Sequence, residues 1–155
     1  MQLQIIDMKL TPYIFFAGNA REALDFYKNA LEGEVQQLGT YGESPMPSDE
    51  DYKDKIMHAR LIFEGNMIMI CDAFKGQPVS TSGNVQLSLD VEDVNKMDEV
   101  FIKMAVGGKV TMELQDAFWG ARFGMLQDKF GISWMFNCQL KKAEESNDKN
   151  LDITV

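Results

Sequence analysis

Apolar and polar residues alternate along several short segments of the chain, a pattern that predicts β-strands. The clearest case is 115–138, QDAFWGARFGMLQDKFGISWMFNC, where two such segments, 121–126 and 132–138, flank the sequence DKFG. Asp and Gly in a short gap between apolar runs indicate a tight turn, because glycine adopts positive φ without steric cost. We therefore predict an antiparallel hairpin here. The residues of its second strand expected in a core are Ile132, Trp134, Phe136 and Cys138.

A second hairpin of the same kind is predicted earlier in the chain. Segments 57–63 (MHARLIF) and 67–72 (MIMICD) flank the short sequence EGN. A strand pattern, a stretch of helical spacing and another strand pattern precede each hairpin. These preceding segments are 10–16, 20–31 and 34–41 in the first half and 84–91, 94–104 and 109–114 in the second. The order strand, helix, strand, hairpin thus occurs twice, which indicates an internal duplication.

The duplication predicts an α+β fold of two βαβββ modules, at about 8–74 and 84–139. We expect each module to pack one strand face on its own helix. The other faces would combine into one curved mixed sheet around a cleft. The whole forms a single domain over 1–140, with a linker at 75–83 and a flexible acidic tail at 141–155. Asn19 is the expected N-cap of the first helix.

Composition narrows the range of partners. The 155 residues carry a net charge of −9, which argues against nucleic acid because phosphate binding needs a basic surface. No apolar run reaches the roughly 18–20 residues that span a bilayer, and the first residues do not form a signal peptide. Cys71 and Cys138 lie in predicted strands, and we expect them to be buried free thiols in a reducing cytoplasm.

Three motifs resemble one known family. They are TPYIFFAGNAREALDFYKNAL at 11–31, MHARL at 57–61 and WGARFGMLQDKFGISW at 119–134. Together they resemble the PhnB-like branch of the glyoxalase/bleomycin-resistance, or vicinal-oxygen-chelate, superfamily, over about 10–138. The resemblance implies the paired βαβββ fold. Members are often labelled demethylubiquinone methyltransferases, yet this sequence has no glycine-rich nucleotide loop that would bind S-adenosylmethionine.

The resemblance also implies a divalent metal held by side chains from four strands. The corresponding positions here are Pro12, Met69, Gln86 and Met135. Gln86 alone offers an oxygen ligand, and one neutral amide does not hold Mg²⁺, Mn²⁺ or Zn²⁺. We therefore predict no metal and no cofactor, with the methionines forming an apolar floor.

Four side chains are candidates for chemistry. His58, the single histidine, shares a strand face with Arg60 by alternation; it is either a general base or a hydrogen-bonded structural residue. Arg60 and Arg122 could clamp a carboxylate or phosphate, or form ion pairs with surface carboxylates. Trp119 could stack on a planar ligand or anchor the core.

We predict a metal-independent cytoplasmic homodimer that binds a small organic molecule in the cleft and has no assigned reaction. The predicted ligand-binding residues are Phe16, His58, Arg60, Met69, Gln86, Ser88, Trp119, Arg122 and Met135, with Pro12, Ile14 and Met67 beside them. Two alternatives remain open. One is a metal-dependent lyase, isomerase or dioxygenase-like enzyme that uses His58. The other is an interaction or regulatory module whose cleft is filled by its own methionines.

Overall fold

A computed structural model describes residues 8–81 and 83–140, and the chain divides into two compact units, Met1–Thr81 and Ser82–Val155. The division falls in the predicted linker. The first unit contains β1 (Tyr13–Phe16), α1 (Ala20–Leu31), β2 (Glu34–Thr40), a 3-10 turn (Glu50–Tyr52), β3 (Ile56–Phe63) and β4 (Asn66–Asp72). The second contains β5 (Leu87–Asp90), α2 (Val94–Ala105), β6 (Lys109–Asp116), β7 (Ala121–Gln127) and β8 (Ser133–Gln139).

Each unit has one four-stranded mixed sheet. The strand orders are β1-β4-β3-β2 and β5-β8-β7-β6. The first and last strands of each unit pair in parallel, and the other pairs are antiparallel. The predicted α+β fold of two βαβββ modules is confirmed, with its strands in two sheets. A cleft shared by the modules stays a prediction, and the predicted tail at 141–155 lies outside the described residues.

Each helix packs its apolar stripe on its own sheet. The side chains that α1 buries are Ala20, Ala23, Leu24, Tyr27, Ala30 and Leu31, and those that α2 buries are Met97, Val100, Phe101 and Met104. The rings of Phe101 and Phe136 meet edge to face with centroids 5.1 Å apart. Of the four predicted core residues, Trp134, Phe136 and Cys138 are buried, whereas Ile132, just before β8, is half-buried. Among the described helices, none has the length and apolarity to cross a bilayer.

A single buried carboxylate connects three elements of the first unit. Asp72, at the end of β4, is 1% exposed. Its Oδ1 accepts hydrogen bonds from the backbone N–H groups of Gly18 and Ala20 at 2.9 Å, and its Oδ2 accepts one from Ile56 at 2.9 Å. Asn19 occupies the N-cap position of α1, as predicted, but its side chain makes no capping hydrogen bond. Asp72, on a distant strand, instead accepts from the free N–H group of Ala20 at the start of the helix.

A second buried carboxylate, Asp128, shapes the hairpin turn of the second unit. Its Oδ1 accepts from the backbone N–H groups of Phe130 and Ile132 at 2.9 and 3.0 Å, and its Oδ2 accepts from the Trp134 indole at 2.9 Å. Gly131 has φ of +87°, as its place in the turn predicts. The turn is therefore fixed to the core strand that follows it.

Candidate functional site

One face of the first unit's sheet carries polar and aromatic side chains, while the opposite face packs on α1. We call the face that does not contact α1 the open face. Its residues are Tyr13, Phe15, His58, Arg60, Ile62, Met67, Met69 and Cys71. Strand register places Tyr13, Met69 and Arg60 side by side on three adjacent strands. Tyr13 and Phe15 are 39% and 53% exposed, so this face offers aromatic surface next to charge.

Tyr13 and His58 form the polar pair of the open face. The Tyr13 hydroxyl lies 2.9 Å from His58 Nδ1, and the Tyr13 ring stacks on Phe15 with centroids 5.1 Å apart. Burial, with a smaller effect of the neighbouring Cys71, raises the pKa of Tyr13 to about 12. The phenol therefore keeps its proton at neutral pH. Its hydroxyl either donates to Nδ1 or accepts from it, according to which ring nitrogen of His58 carries the proton.

Cys71 lies beside this pair, paired across the sheet with Phe15, and is a buried thiol. Burial raises its pKa; a hydrogen bond with Tyr13 lowers it less, and the neighbouring Asp72 carboxylate raises it further. A thiol held protonated in this way is a poor nucleophile. Cys71 and Cys138 are both free and buried, as predicted.

Arg60 has unused hydrogen-bonding capacity. Its neighbours across the sheet are Gln36 on β2 and Met69 on β4. The Arg60 Nε atom is buried, and among the described residues it has no hydrogen-bond acceptor. A buried donor without an acceptor costs about 1–3 kcal/mol. Arg60 therefore has a donor on the open face that a bound anion would satisfy.

The second unit, taken by itself, presents a row of methionines on the sheet face opposite α2. Strand register aligns Ser88, Met135, Met125 and Met112 across all four strands. Trp119 packs edge to face on Phe123 and on the exposed Phe118, with centroids 5.7 and 5.0 Å apart. Of the predicted residues, Ser88 and Met135 lie on this face and Trp119 lies at its edge, half-exposed. Gln86 is exposed and lies just before β5.

Two predicted ligand-binding residues are placed elsewhere. Phe16 is 4% exposed and alternates with the open-face residues Tyr13 and Phe15; Ile14 shares its side of β1. Arg122 pairs across the sheet with the buried Cys138, and its Nε donates to Asp98 of α2 at 3.1 Å. Phe16 thus packs in the core and Arg122 is held in an ion pair, so neither lies on the faces described above, and their part in ligand binding stays a prediction.

Tyr13 and Phe15 are the open-face residues that sequence reasoning missed. In 13–16 (YIFF), the two alternating sets are Tyr13 with Phe15 and Ile14 with Phe16, and both sets are apolar or aromatic. Alternation therefore separates the residues into two sets without indicating which set faces the helix. The phenol hydroxyl was the available signal, since a tyrosine in a short strand favours the face where its hydroxyl finds a partner.

The donor set does not fit a divalent cation. Among the described residues no three His, Cys, Asp or Glu side chains lie close enough to hold one. His58 Nδ1 is already engaged with the Tyr13 hydroxyl at 2.9 Å. Pro12 lies just before β1 and has no side-chain atom that binds a metal, and Met69, the cross-strand neighbour of Tyr13, offers only a soft thioether.

The high pKa of Tyr13 leads to a prediction for alkaline stability. Its protonated phenol favours the folded state fully below pH 10.0, the ordinary pKa, and this contribution is lost as pH rises to about 12. The free energy of unfolding should therefore fall over this interval, and fall less steeply in Tyr13→Phe. Denaturant unfolding at several pH values measures both slopes, with tyrosinate absorbance following the ionisation. Equal slopes in the two proteins would contradict the assignment.

Comparison with known proteins places these observations in a family. A family model described as 3-demethylubiquinone-9 3-methyltransferase matches residues 8–137. Protein YjdN of Escherichia coli K12 is 36% identical over 140 residues, which is 84% of this chain and 95% of YjdN. The crystal structure of protein PA1353 from Pseudomonas aeruginosa is 38% identical, covers 87% of this chain and 100% of its own, and superposes with a TM-score of 0.79. A PhnB protein from Bacillus cereus is 26% identical over 84% of this chain and 99% of its own, with a TM-score of 0.72.

Proposed function

The chain belongs to the family described as 3-demethylubiquinone-9 3-methyltransferase, the PhnB-like branch of the vicinal-oxygen-chelate superfamily, and from this premise we propose that its first unit binds a small organic carboxylate on the open face. The observation that carries the proposal is the buried Arg60 Nε without an acceptor. A guanidinium binds a carboxylate through two parallel hydrogen bonds, which would give Nε its partner.

The neighbours of Arg60 indicate which chemical groups the rest of the ligand would carry. Arg60, Met69 and Tyr13 lie in one row across three strands, a span of about 10 Å at ordinary strand spacing. A carboxylate at Arg60 would leave an apolar body over Met69, a flexible side chain that adapts to irregular shapes. The far end of the ligand would meet the Tyr13 ring and the His58 imidazole. A flat or aromatic acid with a hydrogen-bonding group at its far end suits this row.

The proposal involves binding without an assigned reaction. We do not transfer the methyltransferase description to this chain, because its sequence lacks a glycine-rich turn after a strand where a nucleotide-containing methyl donor would bind. Metal-independent binding is part of the proposal, and it is supported by the donor set of the open face. His58 there supplies orientation and hydrogen bonding.

We also propose that the protein acts as a cytoplasmic homodimer. The two free, buried thiols suit a reducing compartment. Exposed aromatic side chains such as Phe118, at 98%, and Trp119, at 51%, suit a protein contact. Light scattering on the purified protein measures the oligomeric state, and a monomer at all concentrations would contradict this part of the proposal.

Matched ligand pairs test the proposed carboxylate site. Calorimetric titration with small aromatic carboxylates should detect saturable binding to protein treated with chelator. The corresponding primary amides should bind about 10–100-fold more weakly, since a charge-assisted pair contributes about 1.5–3 kcal/mol. Equal binding of acids and amides would overturn the proposal. Binding that requires added Mn²⁺, Ni²⁺ or Zn²⁺ would instead favour the metal-dependent enzyme.

A further inference from the structure

A small pocket of about 130 Å³ lies in the first unit, and none of its lining residues belongs to the open face. The loop that follows β2 forms one side of it, and the segment that follows β4 forms the other. We call it the aromatic pocket; its main lining residues are Tyr41, Pro47, Asp49, Tyr52, Phe74 and Lys75. Its volume is about four times the volume that one molecule occupies in liquid water. This is enough for a compact chemical group.

Three aromatic rings form the walls of the aromatic pocket. The Tyr41 ring centroid lies 5.3 Å from that of Tyr52 and 6.1 Å from that of Phe74, with ring planes inclined by 51° and 57°. Tyr41 is buried and forms the floor, whereas Phe74 is 52% exposed at the side. All three aromatic residues line the pocket, so a bound cation would contact aromatic surface on more than one side.

The two tyrosine hydroxyls are already engaged. The Tyr41 hydroxyl donates to the backbone carbonyl of Asp72 at 2.7 Å, and the Tyr52 hydroxyl donates to that of Ala73. These bonds hold both rings in place. The tyrosines therefore offer a ligand their ring surfaces rather than their hydroxyl groups. A group that binds here without needing hydrogen bonds therefore fits better than one that must donate them.

The rim of the aromatic pocket carries an ion-paired lysine. Asp49 and Lys75 are its charged lining residues, and Lys75 Nζ contacts Asp49 at 3.1 Å and Asp51, which does not line the pocket, at 2.7 Å. The two carboxylates neutralise the ammonium, so a cation that enters the pocket does not meet an unpaired positive charge.

From these observations we infer that the aromatic pocket binds a quaternary ammonium group. Such a group is cationic and has no N–H donors, so it loses no hydrogen bonds when it leaves water for the π faces of Tyr41, Tyr52 and Phe74. It is also compact enough for the volume, with any longer substituent extending into solvent. This site does not depend on the carboxylate site proposed above, because the two share no residue.

A charged ligand and its uncharged isostere test this inference. Choline and dimethylbutanol have nearly the same shape and differ by the positive charge. In NMR titrations choline should shift the resonances of Tyr41, Tyr52 and Phe74 saturably. Dimethylbutanol should bind at least about 5-fold more weakly, as a cation–π contribution of about 1 kcal/mol requires. Absence of choline binding, or equal affinity for the two compounds, would overturn the inference.

A pair of matched variants checks that the ring is responsible. Phe74→Leu retains an apolar side chain at a half-exposed position and should weaken choline binding about 5-fold. Phe118→Leu removes a ring that is 98% exposed in the second unit and should leave choline binding unchanged. Equal affinities of the Phe74→Leu variant and the unmodified protein would contradict the inference, provided that the resonances outside the pocket show an intact fold.

Discussion

Replacing Asp72 by alanine is expected to lower the free energy of unfolding by at least about 3 kcal/mol, because two buried backbone N–H groups and one part-buried group lose their carboxylate acceptor. Those groups belong to Gly18, Ala20 and Ile56, so the start of α1 and the start of β3 would both lose their attachment to β4. Denaturant unfolding measures the total loss. Hydrogen exchange of the Ala20 and Ile56 amides tests its location, since protection there should fall most.

A matched control is available on the same helix. Asp25 is an exposed residue of α1, and Asp25→Ala should change the free energy of unfolding by no more than about 0.5 kcal/mol. The comparison separates the loss of a carboxylate from the loss of this particular hydrogen-bond acceptor. If Asp72→Ala were no more destabilising than Asp25→Ala, Asp72 would not have the connecting role described above.

Replacing Arg60 by methionine is expected to weaken the binding of a small carboxylate by about 10–100-fold, because the charge-assisted pair is lost while the apolar stem remains. The same change removes a buried Nε that has no acceptor among the described residues. The free energy of unfolding should therefore stay the same or rise. Calorimetry measures the binding and denaturant unfolding measures the stability. This combination distinguishes a ligand-binding arginine from a structural one, whose loss would destabilise the fold.

Arg122→Met provides the control for Arg60→Met. It removes an equal charge in the second unit, where Arg122 is paired with Asp98 and Asp116. Carboxylate affinity should not change, and stability should fall modestly as Asp98 loses its partner. An equal loss of affinity in both variants would show that overall charge, rather than the open face, determines binding.

The duplicated strand and helix pattern was sufficient to predict the elements and their order. It succeeds best where one set of alternating residues is clearly apolar, as in β8, where Trp134, Phe136 and Cys138 are all buried. The ends of strands are less well predicted. The strand expected at 84–91 is limited in the structure to Leu87–Asp90, because pairing with β8 determines its length.

Long-range contacts explain what the sequence pattern missed. Local capping rules selected Asn19, yet the acceptor that caps α1 comes from Asp72, 52 residues from Ala20 along the chain. Arg122 was expected to face a ligand, and only the packing of α2 places Asp98 beside it. His58 and Arg60 were assigned to the correct face of β3, since alternation there separates polar from apolar side chains.

Determining a crystal structure of the protein with a bound aromatic carboxylate tests the central claim most directly. We predict that a carboxylate oxygen accepts a hydrogen bond from Arg60 Nε, with the ring of the ligand lying over Met69 towards Tyr13. A ligand bound elsewhere, or an Arg60 Nε that donates to an acceptor of the protein itself, would contradict the claim.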